Sequence, residues 1–226
     1  MYRYKIVAFI LAIALSQFSF GQMLNNSPYT RYGLGELMNT ATSPFSGFGG
    51  LSAPIADFKF VNVSNPATYS SLARYNPIFD VAVYGKSSHL KTGSESVKNS
   101  TFVLRNFTLA LPIAKKWGAA FGLMPYSTTG YDITDYQVLD GDSIANNYNG
   151  DGSINRAFIG TGCNIINQGD TLKLSVGVNA SFLFGTLERE RNVVFSNSTF
   201  YNTKVQEKNA LRGMSFDGGI HFYQKM

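Results

Sequence analysis

The chain has 226 residues with Gly at 22, aromatics at 14% and charged residues at only 15%. Its formal charge is +5, and without residues 1–21, which carry Arg3 and Lys5 and no acid, it is +3. That excess is small and scattered, which excludes a basic patch of the kind nucleic acid requires, and the single Cys163 excludes an intramolecular disulfide.

The N-terminus carries Arg3 and Lys5, then the apolar run Ile6–Leu15, then Ser19-Phe20-Gly21 ahead of Gln22. This is the pattern of a secretory signal peptide cut after Gly21. The apolar run is too short for a transmembrane helix, and no later stretch approaches 18 consecutive apolar residues. A membrane location would therefore require a closed barrel of strands.

Residues 22–75 show no regular periodicity and are rich in Gly, Pro, Ser and Asn. Such composition ordinarily reads as a linker. Yet the segment holds Tyr29, Tyr32, Phe45, Phe48, Ile55, Phe58, Phe60 and Tyr69. So many apolar anchors predict compact irregular backbone, packed inside something such as a barrel lumen.

From Ile78 the pattern turns to strands. Ile78–Lys86 predicts a first strand and Ser87–Ser100 a polar loop. Phe102–Leu111 alternates less cleanly, with Val103, Phe107, Leu109 and Leu111 on one face. Pro112 and Lys115-Lys116 predict a turn, and Pro112 and Pro125 suit strand ends. In Trp117–Leu123, Trp117, Ala119, Phe121 and Leu123 oppose Gly118, Ala120 and Gly122. A Trp beside a short turn would lie at a membrane interface. Tyr131–Leu139 leads into a second polar loop, Asp140–Asn155.

The clearest element is Thr171–Gly185, which forms a hairpin with Phe158–Ile166 across Asn167–Asp170. Its even positions are Leu172, Leu174, Val176, Val178, Ala180, Phe182 and Phe184; its odd positions are polar or tiny except Leu183. Strand side chains alternate faces, so one face is apolar and the other wet. The length exceeds the roughly 9–11 residues that cross a bilayer at a tilt. A long strand of a soluble sandwich is the alternative. Beyond it, Glu188-Arg189-Glu190-Arg191 predicts a third long loop over 188–210, since four consecutive charges cannot lie in hydrocarbon. Met214–Tyr223 alternates again, Phe216, Gly218, Ile220 and Phe222 opposing Asp217, Gly219, His221 and Tyr223.

Short turns alternating with long polar loops point to an outer-membrane barrel. About eight strands are expected. The lumen of an eight-stranded barrel is filled by side chains alone, which leaves no room for residues 22–75. The chain accordingly reads as part of a larger barrel, organised as a signal peptide (1–21), a hatch (22–75) and first strands (76–226).

Phe48-Gly49-Gly50, Ala56-Asp57 and especially Asn65-Pro66-Ala67, with Leu72 nearby, stand between a Gly-rich stretch and the first strand. In this arrangement, and in Gly160–Gly185 and Ser215–Phe222, the sequence resembles the FadL/TodX family of outer-membrane hydrophobic-compound channels. The resemblance implies an all-β transmembrane antiparallel barrel of about fourteen strands with an N-terminal luminal hatch, of which this chain holds about half. It implies passive uptake of hydrophobic small molecules such as long-chain fatty acids. Asn26–Leu37, NSPYTRYGLGEL, instead resembles a subgroup of uncharacterised secreted barrel proteins. Some barrels of this type serve as structural or plug components of a protein secretion translocon, as in type IX secretion. The expected partners are thus outer-membrane lipid, a hydrophobic ligand or a large translocon protein, and not nucleic acid.

No catalytic constellation is present: His89 and His221 have no ligand-spaced partner, and no Gly-x-Ser-x-Gly elbow occurs. The reading is that the protein is not an enzyme and needs no cofactor or metal. Asp140–Gly152 clusters oxygen ligands that suit Ca²⁺, but its Gly and Glu positions do not match an EF-hand, and a solvated loop is the simpler reading. The candidate hatch and ligand-path residues are Asn65, Pro66 and Ala67, whose turn chemistry would pin the plug, with Phe45, Phe48 and Phe58 as pocket lining or as hatch packing.

Overall fold

The computed structural model describes residues 27–93, 95–139, 142–168, 171–197 and 200–225. The signal peptide lies outside them. The chain is all-β: one antiparallel sheet of long meandering strands, with an irregular N-terminal segment laid on one face. The strands are β1 (Glu36–Leu37), β2 (Ile78–Thr92), β3 (Glu95–Ala114), β4 (Trp117–Leu139), β5 (Asp142–Gln168), β6 (Leu172–Phe195) and β7 (Thr203–Gln224). The sheet order is β2-β3-β4-β5-β6-β7, and β1 pairs with β4. Among the described residues, the outer edges of β2 and β7 pair with no strand. No helix of the described residues is long and apolar enough to cross a membrane.

The three expected polar loops are strands. Ser87 pairs with Ser100 in the β2–β3 hairpin, residues 142–155 begin β5 opposite β4, and 188–193 continue β6 opposite β7. Alternation is weak there because polar residues occupy both faces, so the period-2 signal has little to separate. The charges of 188–191 are cross-strand pairs: Lys208 bonds Glu188, and Lys204 lies 2.7 Å from Glu190. Among the described residues the eight expected strands are six long ones and the two-residue β1, because Trp117–Leu123 and Tyr131–Leu139, which read as separate segments, belong to one strand, β4.

The faces separate as the clean segments predict. On β6 the even side chains Val178 and Phe182 are exposed, and the odd Ser175, Asn179 and Ser181 are buried. On β7, Met214, Phe216 and Ile220 are each at least 70% exposed. The apolar face thus points away from the N-terminal segment, and the face of small and polar residues packs beneath it.

Among the described residues four bulges or register shifts break this alternation. Ala82 pairs with Asn106 and Val83 with Leu104, so Arg105 is the extra residue of β3. Phe102 and Leu104 therefore share the exposed face with Phe107, while Val103, expected beside Phe107, turns inward. Bulges re-aim side chains. Here the bulge aims Arg105 at the segment, where its guanidinium donates to the Ala41 carbonyl at 2.6 Å from Nη2 and 3.0 Å from Nε. Pro125, expected at a strand end, sits inside β4 at the second bulge, between its pair with Asn155 and that of Ser127 with Ile154. A residue without an N–H is tolerated at such a site. The other two lie between Pro112 and Ala114 of β3 and between Asn164 and Ile166 of β5.

The N-terminal segment contains two short 3₁₀ helices, η1 (Pro28–Arg31) and η2 (Pro66–Ser71), and one turn of α-helix, α1 (Ser43–Ser46). Its Val61, Val63, Tyr69 and Leu72 form the core with Ala110, Ala120, Met124 and Phe158 of the sheet. Burial of such side chains contributes about 1.5–3 kcal/mol each, so the segment is held by packing although it lacks long elements.

Candidate functional site: the seat of the N-terminal segment

Asn65 caps η2. Its Oδ1 accepts from the Ala67 N–H at 3.1 Å, in the N-cap manner, while Nδ2 donates to Ala53 O at 2.8 Å and to Ile220 O of β7 at 3.1 Å. Pro66 occupies the first helical position, where its fixed φ fits and its missing N–H costs nothing. Pro66 and Ala67 are buried, Ala67 completely. One residue therefore joins the helix start, the preceding loop and the sheet.

Beneath the start of η2 the sheet carries a row of glycines. Gly118 of β4 pairs with Gly162 of β5, Gly162 with Gly177 of β6, and Gly177 with Gly219 of β7. These four glycines form one row across four strands. A Cβ on Gly118 would strike the Tyr69 carbonyl, and one on Gly162 or Gly177 the Pro66–Ala67 backbone. A Cβ on Gly219 would strike the Asn65 side-chain oxygen. Glycine in a strand often marks such close approach of another backbone. The row is a flat seat for Asn65-Pro66-Ala67.

The adjacent row supplies polar ties. Asn179 of β6, fully buried, accepts from the Tyr69 hydroxyl at 3.1 Å and donates to Val63 O at 3.1 Å. Gly160, its β5 neighbour, leaves room for that amide. The Ser70 hydroxyl lies 2.9 Å from the Ser175 hydroxyl. Burial pushes the Tyr69 hydroxyl well above the usual phenol range, with the Asn179 hydrogen bond opposing. Nearby, the almost fully buried Arg156 guanidinium lies 3.5 Å from Asp217 and 3.2 Å from the Met124 sulfur.

The three phenylalanines do not converge. Phe45 is buried in α1, whereas Phe48 and Phe58 are 65% and 54% exposed. A pocket shared by all three is thus not present, because Phe48 follows α1 in a turn and Phe58 lies in a separate loop. Phe58 borders a cavity of about 640 Å³ with Ile55, Lys173, His221 and Tyr223.

A second cavity, about 260 Å³, lies where β3 and β4 part. Their pairing begins at Phe107–Leu123, leaving residues 95–106 and 129–139 without a shared ladder. β1 enters this split: Glu36 and Leu37 pair with Thr128 and Ser127, and Met38 donates to Tyr126 O at 2.9 Å at the β4 bulge. Lys86 of β2 clamps Glu36 at 2.6 Å. Phe102, Leu104, Leu123, Met124 and Pro125 line the cavity. Neither the glycine row nor this split was foreseen. The glycines were visible singly on small faces, but only strand register aligns them. Among the described residues no cluster of three acidic, His or Cys side chains could hold a metal.

Removing the Asn65 cap makes a direct prediction. Asn65→Ala is expected to destabilise the protein by about 2 kcal/mol, combining a lost N-cap with an unmet buried carbonyl. Denaturant unfolding in detergent measures it, and a change under about 0.5 kcal/mol would show that the cap bonds do not hold η2.

Fold and site together define an all-β protein of one large antiparallel sheet, apolar on its outer face and seating its own N-terminal segment on its inner one. The chain belongs to the BamG family, whose model matches residues 1–226. No curated protein and no solved structure matches it.

Proposed function

We propose that this chain is part of a plugged outer-membrane β-barrel that acts as a non-transporting structural subunit of the outer-membrane assembly machinery, to which the BamG family is tied. The observation that carries this reading is the glycine seat with its Asn65, Tyr69 and Asn179 bonds. A plug joined to four successive strands by backbone contact and buried hydrogen bonds fills the inner face instead of gating it. Exposed apolar side chains on the other face suit lipid or a partner's flank, since contiguous apolar patches of this kind mark interaction surfaces. Strands β3–β7 run 20–27 residues, about twice what a bilayer crossing takes, so their charged ends would stand in water. The FadL/TodX likeness concerns the barrel and hatch in this reading, not the cargo.

Passive uptake of a hydrophobic compound is the second reading, and the apolar-lined split between β3 and β4 favours it. Extraction of the full-length protein in mild detergent, with mass spectrometry of everything that copurifies, separates the two. A barrel-assembly protein at equal stoichiometry with no bound lipid-like molecule is the expected result. Stoichiometric fatty acid without a protein partner would overturn it in favour of uptake, and a secretion-translocon protein would reassign the partner.

A further inference from the structure

The charged run Glu188-Arg189-Glu190-Arg191 divides by sign between the two faces of β6. The glutamates share the outer face with Val178 and Phe182, where Lys208 bonds Glu188 and Lys204 lies 2.7 Å from Glu190. The arginines share the inner face with Asn179, Ser181 and Leu187, about 7 Å apart along the strand. There they meet the end of η1. Arg189 Nη2 donates to Gly33 O at 2.8 Å. Arg31, the last residue of η1, holds its guanidinium carbon 4.3 Å from the Tyr148 ring centroid. Arg191, paired opposite Tyr148, lies 5.4 Å from the same centroid.

Among the described residues no carboxylate forms an ion pair with Arg31, Arg189 or Arg191. Two carboxylates stand nearby on the same face, and each accepts from a neighbour on its own strand. Glu207, opposite Arg189, accepts from Asn209 at 2.6 Å, and Asp135, opposite Asn146, accepts from Gln137 at 2.9 Å. The arginines keep donors in reserve: Arg191 gives one long bond, 3.4 Å, to Asn146 Oδ1, and the buried Arg189 Nε has no partner. An aromatic ring attracts a cation without neutralising it. Like charges gathered this closely repel one another unless an anion joins them.

We infer that Arg31, Arg189 and Arg191 form, around Tyr148, a binding site for the phosphoryl group of a water-soluble ligand. A phosphate monoester carries a charge of about −1.5 to −2 and three strong acceptor oxygens, which suits several guanidinium forks. A carboxylate has one charge and two oxygens and would satisfy fewer of them. The site is built before any ligand arrives. The Ser27 N–H and the Thr30 hydroxyl donate to Gly130 O of β4 at 2.9 and 3.0 Å, fixing the start of η1, and Arg189 fixes the stretch after it. The inner-face position selects the source of the phosphate. Lipid headgroups border the opposite, apolar face of Met214 and Phe216, across the sheet from the arginines, whereas Arg191 is exposed to solution. The site needs no assembly partner, so it stands whether or not the proposed function does.

The test is isothermal titration calorimetry of the purified full-length protein in detergent micelles with phenyl phosphate. Saturable binding of one ligand per chain is expected, weakening at least about fivefold between about 50 and 500 mM salt. Benzoate should bind at least about tenfold more weakly. Arg31→Gln with Arg191→Gln should weaken phenyl phosphate binding at least about tenfold, and Arg31→Lys with Arg191→Lys by less. Should the double variant melt early, Arg191→Gln alone leaves the Arg31 and Arg189 contacts in place and should still weaken binding at least about threefold. Lys204→Gln with Lys208→Gln, on the outer face, should leave binding unchanged. Absence of saturable binding, unchanged binding by Arg191→Gln, equal affinity for benzoate, or tighter binding of phosphatidic acid added to the micelles would each overturn the inference.

Discussion

Gly177→Val destabilises the protein by about 4 kcal/mol and releases the segment around η2 to proteases. The Cβ alone would overlap the Pro66–Ala67 backbone, which is not a flexible side-chain end that can swing away. Overpacking costs about 1–3 kcal/mol, and lifting η2 off the sheet also breaks the buried bonds of Asn65 and Tyr69, about 1–3 kcal/mol more. Gly213→Ala and Gly218→Ala are the matched controls, since a Cβ there meets nothing within 4 Å. Both should fall within about 0.5 kcal/mol of the parent. Denaturant unfolding combined with protease mapping of residues 53–72 reads the result. A Gly177→Val protein as stable and as protected as the Gly213→Ala control would mean that the seat carries no load.

Asn179→Ala is the second large effect, at about 3 kcal/mol. The amide is fully buried and serves both the Tyr69 hydroxyl and the Val63 carbonyl. Its removal strands two buried polar groups, each costing about 1–3 kcal/mol. Tyr69→Phe removes one of those groups as well, so the double variant should be less destabilised than the sum by about 1 kcal/mol. Additive effects would break the link between the two residues.

The same pair has a pH signature. Burial raises the folded-state pKa of Tyr69 above its ordinary value near 10. Its contribution is therefore fully present below that value and lost as pH rises through and beyond it, where the unfolded chain releases the proton first. Stability should decline above about pH 10, and Tyr69→Phe should flatten that limb relative to the parent.

The all-β class and the two faces of Thr171–Gly185 and Met214–Tyr223 were legible in the sequence. One face of each meets an apolar surrounding and the other a polar interior, so composition itself alternates. The same logic marked residues 22–75 as packed, because Phe45, Tyr69 and Leu72 are too apolar for a solvated linker. It failed at 87–100, 140–155 and 188–210, where polar and charged side chains stand on both faces of the strands and hydrophobic alternation is weak. It also misassigned Val103 and Pro125, since a bulge is one extra residue opposite a partner that the sequence does not identify.

Asn65-Pro66-Ala67 was recognisable as turn chemistry, but what it rests on was not. Gly118, Gly162, Gly177 and Gly219 are separated by up to about a hundred residues, and each alone reads as an ordinary small strand residue. Local sequence determined which residues could alternate, cap and turn, because those preferences arise from neighbours along the chain. Only the register of four strands brought the glycines into one row beneath η2, because that alignment arises from hydrogen bonds between strands distant in sequence.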